Sequence, residues 1–235
     1  MSNRRQFLKN TSVGSLGLGL AASQVMKIYN PDQTICDPTT ADLYGVGPFY
    51  TENPPEIQQS KLAASDIVGT KMTISGRVLN LDCNEYIPNT RIDVWHANDA
   101  GQYDNQGYQL RGYTFTNQQG FYLFETIKPG KYLNGNTLRP AHIHYKITPP
   151  GFEELVTQLY FEGDDSIAAD AAASVTAGQF DATDRIISLT ENSAGVLEGT
   201  FDIVINGEGQ AVGTNDLHLN KGMIYSAYPN PFGSK

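Results

Sequence analysis

The sequence has 235 residues and a formal net charge of −9, and only 17% of its residues are charged. That length fits one large domain or two small ones. The acidic balance and the lack of a basic block argue against nucleic acid as a partner, and no apolar run is long enough for an ordinary transmembrane helix. The high content of Gly, Pro and Tyr (23, 12 and 13 residues) favours a β-rich fold.

The N-terminal residues have the order of an export signal. Arg4 and Arg5 precede a Phe-Leu-Lys trio, which resembles the twin-arginine motif, and a short, weakly apolar run follows over residues 11–22. We therefore expect residues 1–23 to form a twin-arginine-type signal segment that the twin-arginine export machinery recognises. The protein would then be periplasmic or extracellular, or held at the membrane by an uncleaved leader. The alternative is a basic arm with no targeting role.

The two cysteines of the chain predict a disulfide. In an exported protein, a bridge between Cys36 and Cys83 would tie the N-terminal arm to the folded domain; the alternative is two unrelated thiols. Residues 24–65 show little periodicity and are rich in Pro, Asn, Gln and Thr, which indicates an extended arm. Residues 66–235 are expected to form the main domain.

Short segments of alternating polarity follow one another from residue 71 onward. The expected strands cover residues 72–79, 90–96, 113–116, 121–127, 139–147, 155–161, 185–189 and 199–205. Residues 117–120 are expected to join two of them in a hairpin, and residues 165–177, rich in Ala after an Asp/Ser start, predict one short helix. The pattern predicts an all-β fold, a single antiparallel β-sandwich with one short helix and long loops.

The strand over residues 139–147 carries two of the four histidines of the chain. Because successive side chains of a strand point to opposite faces, His142 and His144 share one face, and Ile143 and Tyr145 share the other. The first face therefore predicts a metal-binding or catalytic surface, and the second predicts core.

Two histidines cannot fill a coordination sphere, so other donors are needed. Tyr103 and Tyr132 are candidates, since a phenolate is a hard anionic oxygen ligand that suits Fe(III). Two phenolates would offset two of the three charges of the ferric ion, and a hydroxide would offset the third.

Three segments of the sequence together resemble a known family. Residues 95–103, 120–132 and 139–144 are similar to the intradiol ring-cleavage dioxygenases, the catechol and protocatechuate 3,4-dioxygenase group, and the similarity runs from about residue 42 to about residue 165. The resemblance implies a β-sandwich with a mononuclear, non-haem Fe(III). It further implies that O2 and a catechol-type ring react to give a cis,cis-muconate-type diacid. The metal ligands that it implies are Tyr103, Tyr132, His142 and His144.

The resemblance also assigns roles around the metal. Tyr132 matches the axial tyrosinate that leaves when catechol binds, Arg139 matches an arginine beside the substrate ring, and Gln158 matches a glutamine near the O2 side. Position alone would favour a surface ion pair for Arg139 and an edge-strand polar residue for Gln158. Tyr50 is a candidate substrate-binding residue or a packing anchor. His96 stands where protocatechuate enzymes have Gln, and we expect it to pack near the site and not to be a ligand.

Two other interpretations compete with the dioxygenase. The first is a non-catalytic β-sandwich, a transthyretin-like or carbohydrate-binding module with an accidental Tyr/His cluster. The second is a zinc hydrolase that uses the His pair, although no carboxylate is placed to complete its ligand set. The residues do not identify the catechol, and they leave open whether identical chains form an oligomer.

Overall fold

The computed structural model describes residues 36–176 and 178–211. The expected signal segment, residues 1–23, lies outside this part, as do residues 24–35 of the expected arm. Within the described residues, no helix has the length and apolar character needed to cross a membrane.

The described chain is built from short strands. Their bounds are β1 (Lys71–Leu79), β2 (Glu85–Tyr86), β3 (Arg91–Trp95), β4 (Arg111–Phe115), β5 (Phe121–Ile127), β6 (Tyr132–Asn134), β7 (Thr137–Arg139), β8 (His142–Thr148), β9 (Leu155–Phe161), β10 (Ile186–Ile187), β11 (Thr190–Glu191), β12 (Leu197–Thr200), β13 (Ile203–Val204) and β14 (Gln210–Ala211). Single turns of 3-10 helix occur at Gln58–Ser60, Ile167–Ala169 and Thr183–Arg185.

These strands form two main sheets and one separate pair. One sheet has five strands in the order β10-β9-β8-β3-β4, the other has seven strands arranged around β1, and β6 pairs with β7 alone. Most pairs are antiparallel, but β1 pairs in parallel with β12 and β13, and β9 does so with β10. The prediction of an all-β, sandwich-like fold is confirmed.

The core lies between the two main sheets. Ile143 and Tyr145 of β8 are fully buried there with Ile74 and Phe124 of the other sheet. Burial of each such side chain contributes about 1.5–3 kcal/mol of hydrophobic stabilisation. The apolar face of the histidine strand is thereby fixed, and its opposite face must point away from the core.

The expected hairpin around residues 117–120 is wrong. β4 pairs with β3 in the five-stranded sheet, whereas β5 pairs with β1 in the other, over the register Lys71↔Ile127 to Arg77↔Phe121. The tight turn itself is present, since Gly120 N–H donates to Asn117 O at 3.0 Å. The turn therefore carries the chain from one sheet to the other, a choice that alternation within each strand does not encode.

The expected helix over residues 165–177 is also wrong in its extent. The described part of this segment has only the 3-10 turn Ile167–Ala169, after which Asp170 is extended, with ψ 124°. The Asp170 carboxylate accepts the N–H groups of Ala172 and Ala173 at 2.9 and 3.0 Å. This local hydrogen bonding by a side chain competes with a helix.

The predicted disulfide is confirmed. Cys36 and Cys83 are bonded, with their Cα atoms 5.8 Å apart. From this anchor the arm crosses from one main sheet to the other, because Thr39 N–H donates to Val204 O of β13 at 2.9 Å and Asp42 N–H donates to Val156 O of β9 at 2.8 Å. The arm then continues toward the outer face of the five-stranded sheet.

Candidate metal centre

The outer face of the five-stranded sheet carries a row of large polar and aromatic side chains. Cross-strand pairing aligns Gln158 with His144, His144 with Trp95, and Trp95 with Arg111. The Trp95 indole stacks on the His144 imidazole, with ring centres 4.8 Å apart and planes 6° from parallel. All four residues are at least 97% buried, so loops and the arm cover this face.

The two predicted histidine ligands meet one predicted tyrosine ligand. The Tyr103 Oη atom lies 3.2 Å from Nε2 of His142 and 3.1 Å from Nε2 of His144. His142 Nδ1 donates to Pro140 O at 2.7 Å, which fixes the proton on Nδ1 and leaves Nε2 with a free lone pair.

Burial sets the charge of these three groups. It lowers the pKa of His142 to about 3 and lowers the pKa of His144 well below its usual value, and the Arg139 charge adds to both effects. Burial also raises the pKa of the Tyr103 phenol well above its usual value. The two imidazoles are therefore neutral and can donate an electron pair to a metal. The phenol gives up its proton only when a cation replaces that proton.

The loop after β3 places Tyr103. Asn98 Oδ1 accepts the N–H groups of Ala100 and Gln102 at 3.0 and 2.9 Å, and Gly101 between them has φ +76°. A Cβ on Gly101 would lie 2.1 Å from Lys131 O. The Tyr103 loop therefore packs directly on the residue that precedes Tyr132.

The β6–β7 pair brings the fourth predicted ligand to the predicted arginine. Tyr132 is the cross-strand partner of Arg139, whose Nη1 donates to Tyr132 Oη at 3.3 Å. The ring centre of Tyr132 lies 5.7 Å from that of Tyr103 and 5.6 Å from that of His142. The structure thus gathers all four predicted ligands and Arg139 in one place.

Arg139 is held by a buried carboxylate that sequence reasoning missed. Asp170 Oδ2 accepts from Nε of Arg139 at 2.7 Å, and Arg139 Nη2 donates to Gln158 Oε1 at 2.9 Å. Arg139 and Asp170 are only 4% and 5% exposed, so the pair is not the surface ion pair that position alone suggested.

Gln158 links the arginine to Tyr160 of the same strand. Its Oε1 also accepts from the Tyr160 hydroxyl at 2.8 Å, while its Nε2 is buried without a partner among the described residues. Gln158 is therefore a fully buried member of the site network and not an edge residue.

The arm supplies an aromatic wall that sequence reasoning assigned to a neighbouring residue. Phe49 stacks on Tyr103, with ring centres 4.1 Å apart and planes 7° from parallel, and meets the Tyr132 ring edge-on at 5.7 Å. The ring centre of Tyr50 instead lies 4.9 Å from that of Trp95 and 5.4 Å from the Lys146 ammonium nitrogen. A substrate-binding role for Tyr50 stays a prediction. Of these two neighbouring aromatic residues, Phe49 is the one that contacts the predicted ligands Tyr103 and Tyr132.

His96 is satisfied by protein groups. Its Nδ1 lies 2.7 Å from Ala97 O and its Nε2 lies 2.7 Å from Thr126 Oγ1. Burial lowers the pKa of His96 to about 4, so the imidazole is neutral. Both ring nitrogens are occupied, as expected for a packing residue and not for a ligand.

The donor set fits a ferric ion. A neutral phenol has one proton, so Tyr103 can donate to only one of the two Nε2 atoms, whereas a cation among the three atoms satisfies all of them. In the described part of the chain, no three His, Cys, Asp or Glu side chains gather at one point. A metal here needs the tyrosines, and phenolate oxygens suit Fe(III) better than the zinc of the rival hydrolase.

Comparison with known proteins identifies the family of the chain. The model of a family described as Dioxygenase matches residues 46–207, more than half of the chain. The hydroxyquinol 1,2-dioxygenase of Rhizobium sp. (strain MTP-10005) is 33% identical over 150 residues, which cover 55% of this chain and 50% of that protein. The protocatechuate 3,4-dioxygenase beta chain of Burkholderia cepacia is 33% identical over 170 residues, which cover 65% of this chain and 71% of that protein.

Solved structures give the same result. The dioxygenase domain of a dioxygenase and carbohydrate-binding protein fusion from Streptomyces sp. SirexAA-E is 32% identical, has a TM-score of 0.62, and is matched over 73% of this chain and 100% of that chain. The 3-chlorocatechol 1,2-dioxygenase of Rhodococcus opacus 1CP shares the fold, with a TM-score of 0.62 at 24% identity over 72% of each chain. The chain belongs to the intradiol ring-cleavage dioxygenase family. It spans about half the length of the hydroxyquinol 1,2-dioxygenases that it matches, 50% and 53%.

Proposed function

We propose that the chain is a non-haem Fe(III) intradiol dioxygenase, an oxidoreductase that uses O2 to open a catechol-type ring to a cis,cis-muconate-type diacid. The convergence of Tyr103 Oη on the Nε2 atoms of His142 and His144 carries the proposal. Tyr132, beside them in the β6–β7 pair, completes the proposed ligand set. Bound ferric iron would supply Lewis acidity toward the two catechol oxygens and would couple the ring electronically to O2.

The residues around the ligands divide the remaining tasks. Tyr132 would be a metal ligand in the absence of catechol, and its Oη would accept one of the two phenolic protons of the substrate. Arg139 Nη1 already lies 3.3 Å from Tyr132 Oη. The guanidinium therefore stabilises negative charge on the Tyr132 phenolate, and it would stabilise negative charge on a bound catechol in the same way. Gln158 Oε1 holds the other side of the same guanidinium and keeps it oriented.

The arm closes the site from outside. Phe49 covers the Tyr103 ring, and Arg111 donates from Nη1 to Phe49 O at 2.7 Å, which fixes the arm over the ligands. An apolar cover limits the access of water to the reacting groups and strengthens the electrostatic interactions inside.

Absorption and O2 uptake test the proposal together. Purified, iron-loaded protein should show a visible phenolate-to-iron charge-transfer band, and it should consume O2 with at least one member of a panel of catechols. Mass spectrometry of the product should identify an intradiol diacid. Tyr103→Phe and Tyr132→Phe should each change the band. Colourless protein with stoichiometric zinc, or with no metal and no O2 uptake, would favour the hydrolase or the non-catalytic sandwich.

We propose in addition that the twin-arginine-type leader directs export. The Cys36–Cys83 bridge supports this proposal, because disulfides persist in oxidising compartments. Replacement of Arg4 and Arg5 by Lys should leave the protein in the cytoplasmic fraction. Lys9→Arg, an equally conservative change outside the arginine pair, should leave export unchanged. Equal export of both variants would contradict the proposal.

A further inference from the structure

One carboxylate contacts the residues that directly precede two of the proposed ligands. Asp164 lies just after β9, and its side chain is only 7% exposed. Its Oδ1 is 2.7 Å from the Lys131 ammonium, and its Oδ2 accepts the Ala141 N–H at 2.9 Å. Lys131 directly precedes Tyr132, and Ala141 directly precedes His142.

The two contacts act on different parts of the ligand set. Ala141 lies between β7 and β8, so its N–H bond to Asp164 fixes the point where the chain enters the histidine strand. Lys131 fixes the start of the β6–β7 pair, and its carbonyl packs under Gly101 of the Tyr103 loop. A shift of Asp164 would therefore move Tyr132 relative to His142.

Asp164 is itself held rigidly. Its Oδ1 also accepts the Ser166 N–H at 2.9 Å, its own N–H donates to Phe161 O at 3.3 Å, and its carbonyl accepts from Ile167 N–H at 3.2 Å. The carboxylate is thus fixed to the end of β9, which pairs with β8 through His142↔Tyr160. It connects the loosely attached tyrosine segment to the sheet that carries the histidines.

We propose that Asp164 is a positioning residue that sets the place of Tyr132 relative to the histidine pair. This inference rests on the proposed ferric site. Asp165 provides a matched control, since it also pairs with Lys131 but its side chain is 88% exposed and does not accept the Ala141 N–H, which goes to Asp164. Partners that orient metal ligands typically contribute about 10–100-fold to metal affinity or activity, whereas an exposed ion pair contributes little.

The test compares Asp164→Ala, Asp165→Ala and the unaltered protein, each loaded with iron and assayed per bound iron. We expect Asp164→Ala to shift or weaken the charge-transfer band and to lower kcat/KM by about tenfold or more. Asp165→Ala should retain the band and should keep kcat/KM within about twofold. Where Asp164→Ala does not fold, Asp164→Asn serves instead, since it retains an oxygen for the Ala141 N–H but loses the charge that Lys131 meets. Circular dichroism checks folding.

The outcomes separate this inference from the proposed function. If Asp164→Ala, or Asp164→Asn in its place, has the unaltered band and kcat per iron, Asp164 serves only stability and the inference is overturned, however far the melting temperature falls. If both Asp164→Ala and Asp165→Ala lose the band equally, the exposed pair explains the loss and the inference is again overturned. If the unaltered protein itself has neither band nor O2 uptake, the proposed function fails and the inference fails with it.

Discussion

The two halves of the proposed ligand set are held in different ways. His142 and His144 lie on β8, which is hydrogen-bonded to β3 on one side and to β9 on the other. Tyr103 lies in a loop, and Tyr132 lies in a two-stranded pair outside both main sheets. The histidines therefore take their position from the core, and the tyrosines take theirs from a few specific contacts. Such a site is fixed on one side and adjustable on the other, which suits the proposal that Tyr132 leaves the ligand set.

The largest effect should come from the fixed half. His144→Ala should reduce iron affinity and activity by more than about 100-fold, because it removes a ligand and not merely a partner of one. Iron content and O2 uptake measure this. Tyr145→Phe, on the opposite face of β8, should leave both unchanged. Full iron binding by His144→Ala would show that the face predicted from alternation does not hold the metal.

A smaller loss should follow from disturbing the adjustable half through its packing. Gly101→Ala would place a Cβ 2.1 Å from Lys131 O, so the Tyr103 loop and the Tyr132 segment must move apart. Misplacement of reacting groups by about 1 Å can cost about 100-fold in rate, and we expect at least about a tenfold loss of kcat/KM.

Gly135→Ala is the control for that substitution. Gly135 also has positive φ, +62°, but a Cβ there meets no atom within 4 Å. Gly135→Ala should therefore lose only about 1 kcal/mol of stability, the cost of a left-handed backbone at a residue with a Cβ. Its kcat/KM should be unchanged. Equal kinetic losses in the two variants would mean that backbone strain, and not the Lys131 contact, is responsible.

The next effect concerns the arginine between the two halves. Asp170→Asn should leave Arg139 in place but less firmly oriented, since the charge that meets Nε at 2.7 Å is lost. We expect about a tenfold decrease in kcat, with iron content and the charge-transfer band retained. Single-turnover measurements with the preferred catechol separate this from weaker substrate binding. An increase in KM with kcat unchanged would argue that Arg139 serves ground-state binding alone.

The smallest effect on activity should come from the disulfide. Cys36→Ser should destabilise the fold by about 2–4 kcal/mol, because the bridge closes a long loop in the unfolded chain. Activity at low temperature should change little, since Thr39 and Asp42 still hydrogen-bond the arm to both sheets. Thermal unfolding with and without a reductant measures the loss. An inactive but folded variant at low temperature would show that the bridge positions Phe49.

Local patterns were sufficient to predict the fixed half of the site. Alternation alone placed His142 and His144 on one face of β8 and Ile143 and Tyr145 on the other. Donor chemistry made Tyr103 and Tyr132 candidates, but only the similarity of whole motifs assigned them and Arg139 to one site, because their meeting depends on how loops pack.

The parts that were missed depend on contacts distant in sequence. Asp170, which binds Arg139, lies 31 residues from it in the sequence. Phe49, which stacks on Tyr103, lies 54 residues from it. The assignment of β4 and β5 to different sheets was missed for the same reason. The helix expected over residues 165–177 failed because composition does not reveal that the Asp170 carboxylate is needed elsewhere.

The course of the arm has a consequence for the order of folding. Thr39 hydrogen-bonds to Val204, and Thr40 Oγ1 accepts from Arg185 Nε at 2.8 Å, so an early segment of the chain finds its partners only among late ones. Contacts of such high sequence separation form slowly and late. While the chain is being synthesised, Thr39 cannot reach its partner until Val204 has emerged, whereas the partners of Phe49, Tyr103 and Tyr132, emerge much earlier. The start of the described arm, and not the Phe49 cover over the proposed metal site, is therefore the part that must wait for the late segments.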